Sequence, residues 1–364
     1  MKKMFQTAVV LTACLLTFAA CAEEETPAPP AETCGKRSVV VFNQGSYYAG
    51  IESTADVLDL VTGDYRKNVF AAVNGQSLGA DVQAAVRYGS CIYAAMYGSD
   101  LVWQLDAATL RIVGSAQVSQ PEGLAAADGF LFVTGNDGHV SRVDTLTFSV
   151  SGKAYVGPNP SGIVAADGYI YAAVSDGYNG AGGYADGFRV AKIHPRTMAV
   201  ECEISVGMNP TGMALAADGS VFVACQGNYG SVRPEIWRFR AGEDRAAVFC
   251  PGTKMAAHGD RLYVIYDYTD YYGEATYERE LTYKCYGIST GRVLDEAFLA
   301  PGHLPENPYS IAVNPADGDI YVGSYAGQWD FTSPGWLYRY SGATGERIGR
   351  YAASASGTCA VVFN

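Results

Sequence analysis

The stretch Ile163-Val164-Ala165-Ala166-Asp167-Gly168-Tyr169-Ile170-Tyr171-Ala172-Ala173-Val174 is a hairpin sequence that recurs along the chain. A run of small apolar residues, an Ala-Asp-Gly turn and a bulkier apolar run follow one another. The Asp-Gly pair tolerates positive φ, so it closes a tight antiparallel hairpin. The same turn occurs at Ala127-Asp128-Gly129, Ala217-Asp218-Gly219 and Ala316-Asp317-Gly318, with degenerate forms at Tyr88-Gly89-Ser90 and His258-Gly259-Asp260.

The spacing of these turns predicts a repeat architecture. From Gly89 onward, their glycines are 40, 39, 51, 40 and 59 residues apart. Hairpins repeated about every 40 residues are typical of β-propeller blades. The chain is rich in Gly (42 residues) and Tyr (26 residues), and no stretch has the pattern of a long amphipathic helix, which favours an all-β fold.

The best-formed unit predicts four antiparallel strands per blade. It has an inner strand at Ile163–Ala166, a second at Tyr169–Val174, a third at Phe188–Ile193 and an outer strand at Ala199–Val206. At the chain ends, residues 38–42 lack an inner strand and residues 357–363 lack a partner. Pairing these two segments closes the ring in the first blade. The sequence predicts a seven-bladed β-propeller, with six or eight blades left open by the 59-residue interval.

The N-terminal segment has the features of a lipoprotein signal. Residues 1–20 combine Lys2 and Lys3 with an apolar stretch too short to span a membrane. Phe18-Ala19-Ala20-Cys21 predicts lipidation at Cys21. Leu11-Thr12-Ala13-Cys14 also matches a lipobox but would leave a very short apolar stretch, and an ordinary secretory signal is the remaining alternative.

Residues 21–36 are predicted to tether a propeller domain at residues 37–364. Ala22-Glu23-Glu24-Glu25 resembles an acidic signal for export to the cell surface, and a Pro-rich segment follows it. The expected location is the outer membrane, facing the cell exterior, with membrane contact through the lipid anchor only. The net charge of −12 argues against nucleic-acid binding. The nine irregularly spaced cysteines indicate no disulfide framework, although a bond such as Cys34–Cys359 stays open.

The loops between second and third strands are predicted to bind a ligand. They combine tyrosines with Asn, Gln and Gly, which is the composition of a recognition surface, whereas the turns on the opposite face are short and plain. The predicted ligand-binding residues are Gln44, Tyr48, Tyr97, Asn136, Tyr178, Asn179, Gln226, Asn228, Tyr229, Arg233, Tyr268, Tyr272, Tyr325 and Trp329.

No catalytic or metal motif accompanies this surface in the sequence. HExxH, GxSxG and P-loop patterns are absent, and the four histidines are isolated from one another. Asp267, Asp270 and Glu274 lack the spacing of a Ca²⁺ loop. We therefore expect a binding protein with no catalytic residues, no resident metal and no cofactor.

Three segments resemble YncE-like propellers of the DUF5074 type. They are Val41-Phe42-Asn43-Gln44-Gly45-Ser46, Asn74-Gly75-Gln76-Ser77-Leu78-Gly79 and Asn314-Pro315-Ala316-Asp317-Gly318-Asp319-Ile320-Tyr321-Val322. The Asn-Pro-x-Gly segments before the inner strands share this resemblance, which extends from about Ser38 to Asn364. That family includes BtuG-like surface lipoproteins, so the resemblance implies capture of cobalamin and its transfer to a TonB-dependent outer-membrane transporter.

Several functions remain open at the level of sequence. Haem, a ferric siderophore or a glycan would also suit a Tyr-rich face, and no residue pattern singles out a corrin ring. A protein-interaction propeller without a small ligand and a lyase-type propeller enzyme are further alternatives. Replacing Tyr229, Tyr268 and Trp329 together with Ala is expected to weaken ligand binding and leave folding intact.

Overall fold

A computed structural model describes residues 37–271, 279–302 and 304–364. The predicted signal segment, Cys14, Cys21, Cys34 and the predicted tether lie outside these described residues. Within the described ranges, no helix has the length and apolar character needed to cross a bilayer. In this part of the chain, one short α-helix, α1 (Val69–Asn74), and two 3₁₀ turns (Tyr97–Ser99 and Gly180–Gly182) accompany the β-strands.

Twenty-eight strands form seven four-stranded antiparallel sheets, so the predicted propeller with seven blades is confirmed. In the 59-residue interval between Gly259 and Gly318, the described residues form strands of the sixth and seventh blades only. From the innermost to the outermost strand, the blades are β28 (Thr358–Phe363), β1 (Ser38–Asn43), β2 (Thr54–Asp59) and β3 (Tyr65–Arg66); β4 (Val82–Tyr88), β5 (Cys91–Met96), β6 (Leu101–Asp106) and β7 (Ile112–Gln117); β8 (Pro121–Ala127), β9 (Phe130–Gly135), β10 (His139–Asp144) and β11 (Ser149–Tyr155); β12 (Pro160–Ala166), β13 (Tyr169–Val174), β14 (Arg189–Ile193) and β15 (Val200–Ser205); β16 (Pro210–Leu215), β17 (Ser220–Cys225), β18 (Glu235–Arg240) and β19 (Ala247–Pro251); β20 (Lys254–His258), β21 (Arg261–Thr269), β22 (Arg279–Gly287) and β23 (Val293–Asp295); β24 (Pro308–Val313), β25 (Ile320–Ser324), β26 (Trp336–Tyr340) and β27 (Arg347–Ala352).

The two ends of the chain close the ring as predicted. Strand β28 pairs antiparallel with β1, and Val40 lies opposite Val362 in the register. The N-terminal strand therefore has a neighbour on both sides, and no edge is left open toward the axis. Cys359 of β28 is a free thiol among the described residues.

The Asp-Gly turns behave as their sequence predicts. Asp128 and Gly129 have φ of 51° and 82°, and Asp167 and Gly168 have φ of 49° and 75°. Positive φ at both central residues matches the twist of a two-residue hairpin to that of its strands. At Asp218-Gly219 only the glycine has positive φ, because a longer turn joins β16 to β17.

Apolar clusters between neighbouring blades form the core. The described residues contain seven such clusters, and each joins two adjacent blades. In β13, Ile170 and Ala172 pack toward the third blade, whereas Tyr171 and Ala173 pack toward the fifth. Both faces of the second strands are therefore buried, which explains why those strands lack polar alternation.

Candidate functional site

All second-to-third-strand loops and all loops leading into the inner strands lie at the same end of the blades. This follows from the antiparallel order of four strands, since the connections from strand two to three and from strand four to the next strand one share an end. We call this end the loop face. Its second-to-third-strand loops span residues 44–53, 97–100, 136–138, 175–188, 226–234, 270–271 (the described part) and 325–335.

The loops that lead into the inner strands turn through strained backbone. Gln120, Asn159 and Asn209 have φ of 39°, 48° and 56°, and a proline follows each of them. Asn tolerates the left-handed region better than most residues. The sequence predicts structural turns at these segments. In these three, the residue before the proline reverses the chain into the inner strand.

Seven equivalent residues occupy the first or second position of the inner strands, one in each blade. In six blades the strand register shifts at this position, which marks a β-bulge, and bulges re-aim side chains. Five of the seven residues line one cavity of about 470 Å³ at the mouth of the central channel. We call the set the axial ring, and it consists of Gln83, Glu122, Ser161, Thr211, Lys254, Tyr309 and Cys359.

Two further cavities adjoin this axial cavity. An aromatic cavity of about 210 Å³ shares Gln226, Tyr229 and Lys254 with it. An outer cavity of about 470 Å³ beside the first blade shares Tyr325 and Phe331 with the aromatic cavity. The three together form a continuous depression, which we call the funnel. It extends from the axis to the rim over blades five, six, seven and one.

Aromatic rings form one side of the funnel, and we call them the aromatic wall. The Tyr309 and Tyr325 ring centroids are 4.6 Å apart, and Phe331 meets Tyr325 edge-on at 5.1 Å. Trp329 contacts Phe331 at 6.4 Å and Tyr271 at 5.6 Å. The wall consists of Tyr229, Tyr271, Tyr309, Tyr325, Trp329 and Phe331, and the largely buried Tyr268 lines the same cavity behind them.

An ion pair lies beneath the aromatic wall. The Arg279 guanidinium donates from Nε to Asp267 Oδ1 at 2.6 Å and from Nη2 to Asp267 Oδ2 at 2.9 Å. Lys254 lies close by on β20, and burial lowers the pKa of its ammonium, while Asp267 opposes that shift. A second-strand residue, a third-strand residue and an inner-strand residue of the sixth blade thus place three charges at the funnel floor.

Two carboxyl groups with raised pKa values lie near the axial ring: Glu122 belongs to the ring, and Asp81 lines the outer cavity of the funnel. Burial raises the pKa of Glu122 to about 7, and repulsion from Asp81 adds to that rise. Burial also raises the pKa of Asp81, whose Oδ1 accepts a hydrogen bond from Gln83 Nε2 at 3.1 Å. A carboxyl with a raised pKa in a concave site marks a candidate functional group.

A network of hydrogen-bonded polar side chains, which we call the polar network, occupies the loop face over blades two to four. The Tyr97 and Tyr178 hydroxyls are 3.0 Å apart, and Asn136 Nδ2 donates to both, at 3.0 and 3.2 Å. Asn159 Nδ2 donates to Asn136 Oδ1 at 3.2 Å. Burial raises the pKa of Tyr97 to about 12. Asn136 Nδ2 also lies 3.4 Å from Glu122 Oε1 of the axial ring, and Tyr178 stays 74% exposed.

The predicted ligand-binding residues fall into two groups. The residues that line the funnel are Gln44, Tyr48, Gln226, Tyr229, Tyr268, Tyr325 and Trp329. The remaining described residues lie elsewhere on the loop face, and they are Tyr97, Asn136, Tyr178, Asn179, Asn228 and Arg233. Tyr272 lies outside the described residues. The structure brings half of the predicted set together at one depression.

Three of the predicted residues outside the funnel hold the loops in place. Asn179 Nδ2 donates to Asp176 Oδ2 at 2.9 Å, and Asn228 Oδ1 accepts from the backbone N–H groups of Gly230 and Val232. Arg233 donates to Glu280 at 2.7 Å and lines a separate groove of about 380 Å³ beside blades five and six. Their polar side chains are engaged by the protein itself.

Tyr268 has a different role from the one its sequence context predicts. Only 5% of its surface is exposed, and its hydroxyl donates a hydrogen bond to the Gly230 carbonyl. Replacing it with Ala would leave a cavity and an unpaired carbonyl, so we now expect this substitution to lower the free energy of unfolding as well as to alter the funnel. Tyr229 and Trp329 are more exposed, at 39% and 62%.

Several site residues were missing from the prediction. They are Lys254, Tyr309, Asp81, Glu122 and Arg279, all near the axial mouth. Alignment of the seven segments that lead into the inner strands would have found the axial ring, because its members occupy the third position of each segment. Only the fold shows that this position turns toward the axis.

The described residues of the loop face were compared with two kinds of functional geometry, a metal-binding cluster and a His–acid pair. Among the described residues, no group of three or more His, Cys, Asp or Glu side chains is arranged to hold a metal ion. His139 Nδ1 lies 3.4 Å from Asp137 Oδ1, but its ring packs edge-on against Tyr155 of the outermost strand β11. That pair is therefore at the blade periphery, away from the axial ring.

Comparison with known proteins identifies the fold. No protein-family profile matches the chain, and no curated protein matches it significantly. Hydrazine synthase from Kuenenia stuttgartiensis is 16% identical, with a TM-score of 0.62, over 77% of this chain and 89% of that one. A quinoprotein alcohol dehydrogenase-like protein from Bacteroides thetaiotaomicron is 14% identical, with a TM-score of 0.64, over 91% and 79%.

A computationally designed protein, Ika8, is similar as well. It is 14% identical, with a TM-score of 0.51, over 88% of this chain and 90% of that one. At such low identities the likeness concerns the arrangement of blades rather than chemistry. The chain is thus a seven-bladed propeller whose function has to be argued from its own funnel.

Proposed function

We propose that the protein binds a bulky, partly planar nutrient in the funnel, that this nutrient is cobalamin, and that the protein is a carrier rather than an enzyme. The aromatic wall is the single observation that carries this proposal. Six aromatic side chains converge on one depression, and several of them present ring surface to it. Fully covered aromatic side chains bury about 150–250 Å² each, so a few of them can hold a large ring system.

The polar groups of the funnel complement the aromatic wall. Gln226 Nε2 donates to Thr211 Oγ1 and to the Thr253 carbonyl, both at 3.0 Å, which leaves its own carbonyl oxygen available to a ligand. Tyr325 donates to Gln44 Oε1 at 3.1 Å, and the Gln44 amide, which also hydrogen-bonds to the Asp81 carboxylate, lines the outer cavity. Amide groups of this kind suit the side-chain amides of a corrin.

The cellular part of the proposal depends on the N-terminal sequence and on the family resemblance. A lipid at Cys21 would anchor the protein in the outer membrane, and the acidic segment after it would direct the protein to the cell exterior. From there it would pass the ligand to a TonB-dependent outer-membrane transporter. The rim of the funnel supports a docking step, since Tyr48 is 99% exposed and Trp329 is 62% exposed.

These exposed rim aromatics also favour the second candidate, a protein-interaction propeller without a small ligand. Large exposed aromatic side chains are enriched in protein interfaces. The two functions differ in which part of the loop face matters. A small ligand would need the floor of the funnel as well as its rim, whereas a docked protein would contact the rim alone.

Calorimetric titration of the full-length chain with cyanocobalamin, haem and a ferric catecholate siderophore tests the proposal. We expect one-to-one binding of cyanocobalamin and weaker or no binding of the other two. Tight binding of haem or the siderophore alone would replace cobalamin but keep the carrier function. Absence of binding to all three, together with co-purification of an outer-membrane transporter, would favour the protein-interaction function.

A further inference from the structure

Lys254 is the cationic member of the axial ring, and it lies where two cavities meet. It begins the inner strand β20, and its side chain lines both the axial cavity and the aromatic cavity. The other ring members carry amide, carboxyl, hydroxyl, phenol or thiol groups. A ligand that fills the funnel therefore has to lie over an ammonium group.

The nearest acidic side chain is engaged elsewhere. Both carboxylate oxygens of Asp267 accept hydrogen bonds from Arg279, at 2.6 and 2.9 Å, and Arg279 Nη1 donates further to Asn307 Oδ1 at 3.1 Å. Among the described residues, no hydrogen bond and no direct ion pair involves the Lys254 ammonium. The Asp267–Arg279 pair is neutral as a unit, so within the described part of the chain no further carboxylate of these two cavities balances the Lys254 ammonium.

This positive charge contrasts with the rest of the chain. Among the described residues, the charged side chains that line the axial and aromatic cavities are Lys254, Arg279 and Asp267, two cations against one anion, and Asp81 lines the adjoining outer cavity. The chain as a whole carries a net charge of −12. Partial burial of an ammonium without a counter-ion is costly, and it is retained where a bound anion can compensate it.

A neutral hydrogen-bond donor, the Thr211 hydroxyl, lines the axial cavity together with Lys254. The Thr211 hydroxyl accepts a hydrogen bond from Gln226, which leaves its proton free to be donated. Thr211 and Lys254 belong to neighbouring blades at equivalent positions of the axial ring, and both line the axial cavity. A hydroxyl beside an ammonium is a suitable pair for an oxyanion, because both donate and the ammonium supplies a compact charge.

We propose that Lys254, with Thr211, binds an oxyanion of the ligand, either a phosphate ester or a carboxylate, at the axial mouth of the funnel. This inference rests on the proposed function, because it specifies the ligand class of the same site. It favours cobalamin, which carries a phosphodiester, over a neutral glycan. Within the corrinoids it favours cobalamin over cobinamide, which lacks the phosphodiester.

The first test measures thermal unfolding of the full-length chain with inorganic phosphate, with acetate and with chloride at equal ionic strength. A ligand that binds only the folded state raises Tm. Phosphate also stabilises proteins without binding, so Lys254→Met provides the baseline. Lys153→Met is the matched control, because Lys153 is an exposed lysine that pairs with Asp137 at the periphery.

We expect phosphate or acetate to raise Tm of the wild type and of Lys153→Met by about 1–3 °C more than it raises Tm of Lys254→Met. Lys254→Arg should keep most of the effect. A larger shift with phosphate would identify a phosphate ester, and a larger shift with acetate a carboxylate. Equal shifts in the wild type and Lys254→Met, or no shift in either, would overturn the proposal.

Corrinoid titrations separate this inference from the proposed function. We expect Lys254→Met to weaken cyanocobalamin binding about ten- to hundredfold and to leave dicyanocobinamide binding unchanged, since only the former offers an anion to the ammonium. Equal cyanocobalamin binding by the wild type and Lys254→Met would overturn the anion site and leave the carrier function standing. Anion-dependent Tm shifts without corrinoid binding would keep the anion site and reject cobalamin.

Discussion

The two halves of the loop face have similar compositions and different chemistry. Over blades two to four, Tyr97, Asn136 and Tyr178 bond to one another at 3.0–3.2 Å. Over blades five to seven and blade one, the tyrosines contact other rings instead, and their faces border open space. The Tyr and Asn content of the loops therefore identifies the loop face as a whole. Which part of that face can contact a ligand depends on the partners of each side chain.

The largest effect is expected from removing ring surface on the funnel side. Tyr229→Ala with Trp329→Ala should weaken cyanocobalamin binding by a factor of about 10²–10³, since each buried aromatic anchor contributes about 2 kcal/mol. Isothermal titration calorimetry measures this. The matched control is Tyr155→Ala with Tyr178→Ala, which removes two exposed tyrosines outside the funnel and should change the Kd by less than about threefold. Equal losses from both double variants would erase the distinction between the halves.

The second effect concerns the ion pair beneath the aromatic wall. Asp267→Asn should lower the free energy of unfolding by about 2 kcal/mol, because it leaves Arg279 and Lys254 as two half-buried cations without a counter-charge. Urea denaturation at pH 7 checks this value. Asp137→Asn, which affects the exposed pair with Lys153, should cost less than about 0.5 kcal/mol. A loss from Asp267→Asn no larger than that from Asp137→Asn would show that the pair does not support the funnel floor.

The third effect is the pH dependence of the free energy of unfolding that Glu122, the acidic member of the axial ring, produces. The folded-state pKa of Glu122 is raised to about 7, so the folded protein holds a proton that the unfolded chain releases near pH 4.5. Stability therefore falls as pH rises from about 4.5 to about 7, and the loss is complete above that range.

Glu122→Gln removes this dependence. We expect the variant to match the wild type at pH 4 and to exceed its free energy of unfolding by about 1–2 kcal/mol at pH 8, because the carboxyl is partly solvated. Denaturant titrations at the two pH values measure the difference. Identical wild-type and variant stabilities at pH 8 would indicate that Glu122 ionises as an ordinary carboxylate.

The smallest effect is expected from removing one hydroxyl of the polar network over blades two to four. Tyr178→Phe removes a hydroxyl that bonds to Tyr97 and Asn136 but leaves an exposed ring in place. We expect a change of at most about 0.5 kcal/mol in unfolding free energy and no change in ligand affinity, since exposed neutral hydrogen bonds contribute little. A clear loss of affinity would extend the ligand site into this half.

The fold was predictable from local sequence, and most of the site was not. Ala166-Asp167-Gly168 and its repeats encode a hairpin within a few residues, and their spacing encodes the blades. Lys254 gives no such local signal, because an isolated lysine at the start of a strand usually lies in solvent. Its position at the axis results from ring closure, which brings residues from seven blades together.

Local sequence also does not separate the predicted loop residues that line the funnel from those that lie outside it. Asn228 and Tyr229 are adjacent and look equally suited to binding. The Asn228 oxygen accepts two backbone N–H groups of its own loop, whereas Tyr229 lines two cavities of the funnel. Which neighbour satisfies a polar group depends on loop geometry, and that geometry is not encoded in composition.

Hydroxyl-radical footprinting of the full-length chain with and without saturating cyanocobalamin tests most directly that the ligand occupies the funnel half of the loop face. Trp329 and Tyr178 are both largely exposed in the free protein and serve as reporters for the two halves. The account predicts strong protection of Trp329 and Tyr229 and no protection of Tyr178. Protection of Tyr178 with Trp329 unchanged, or protection of neither, would contradict it.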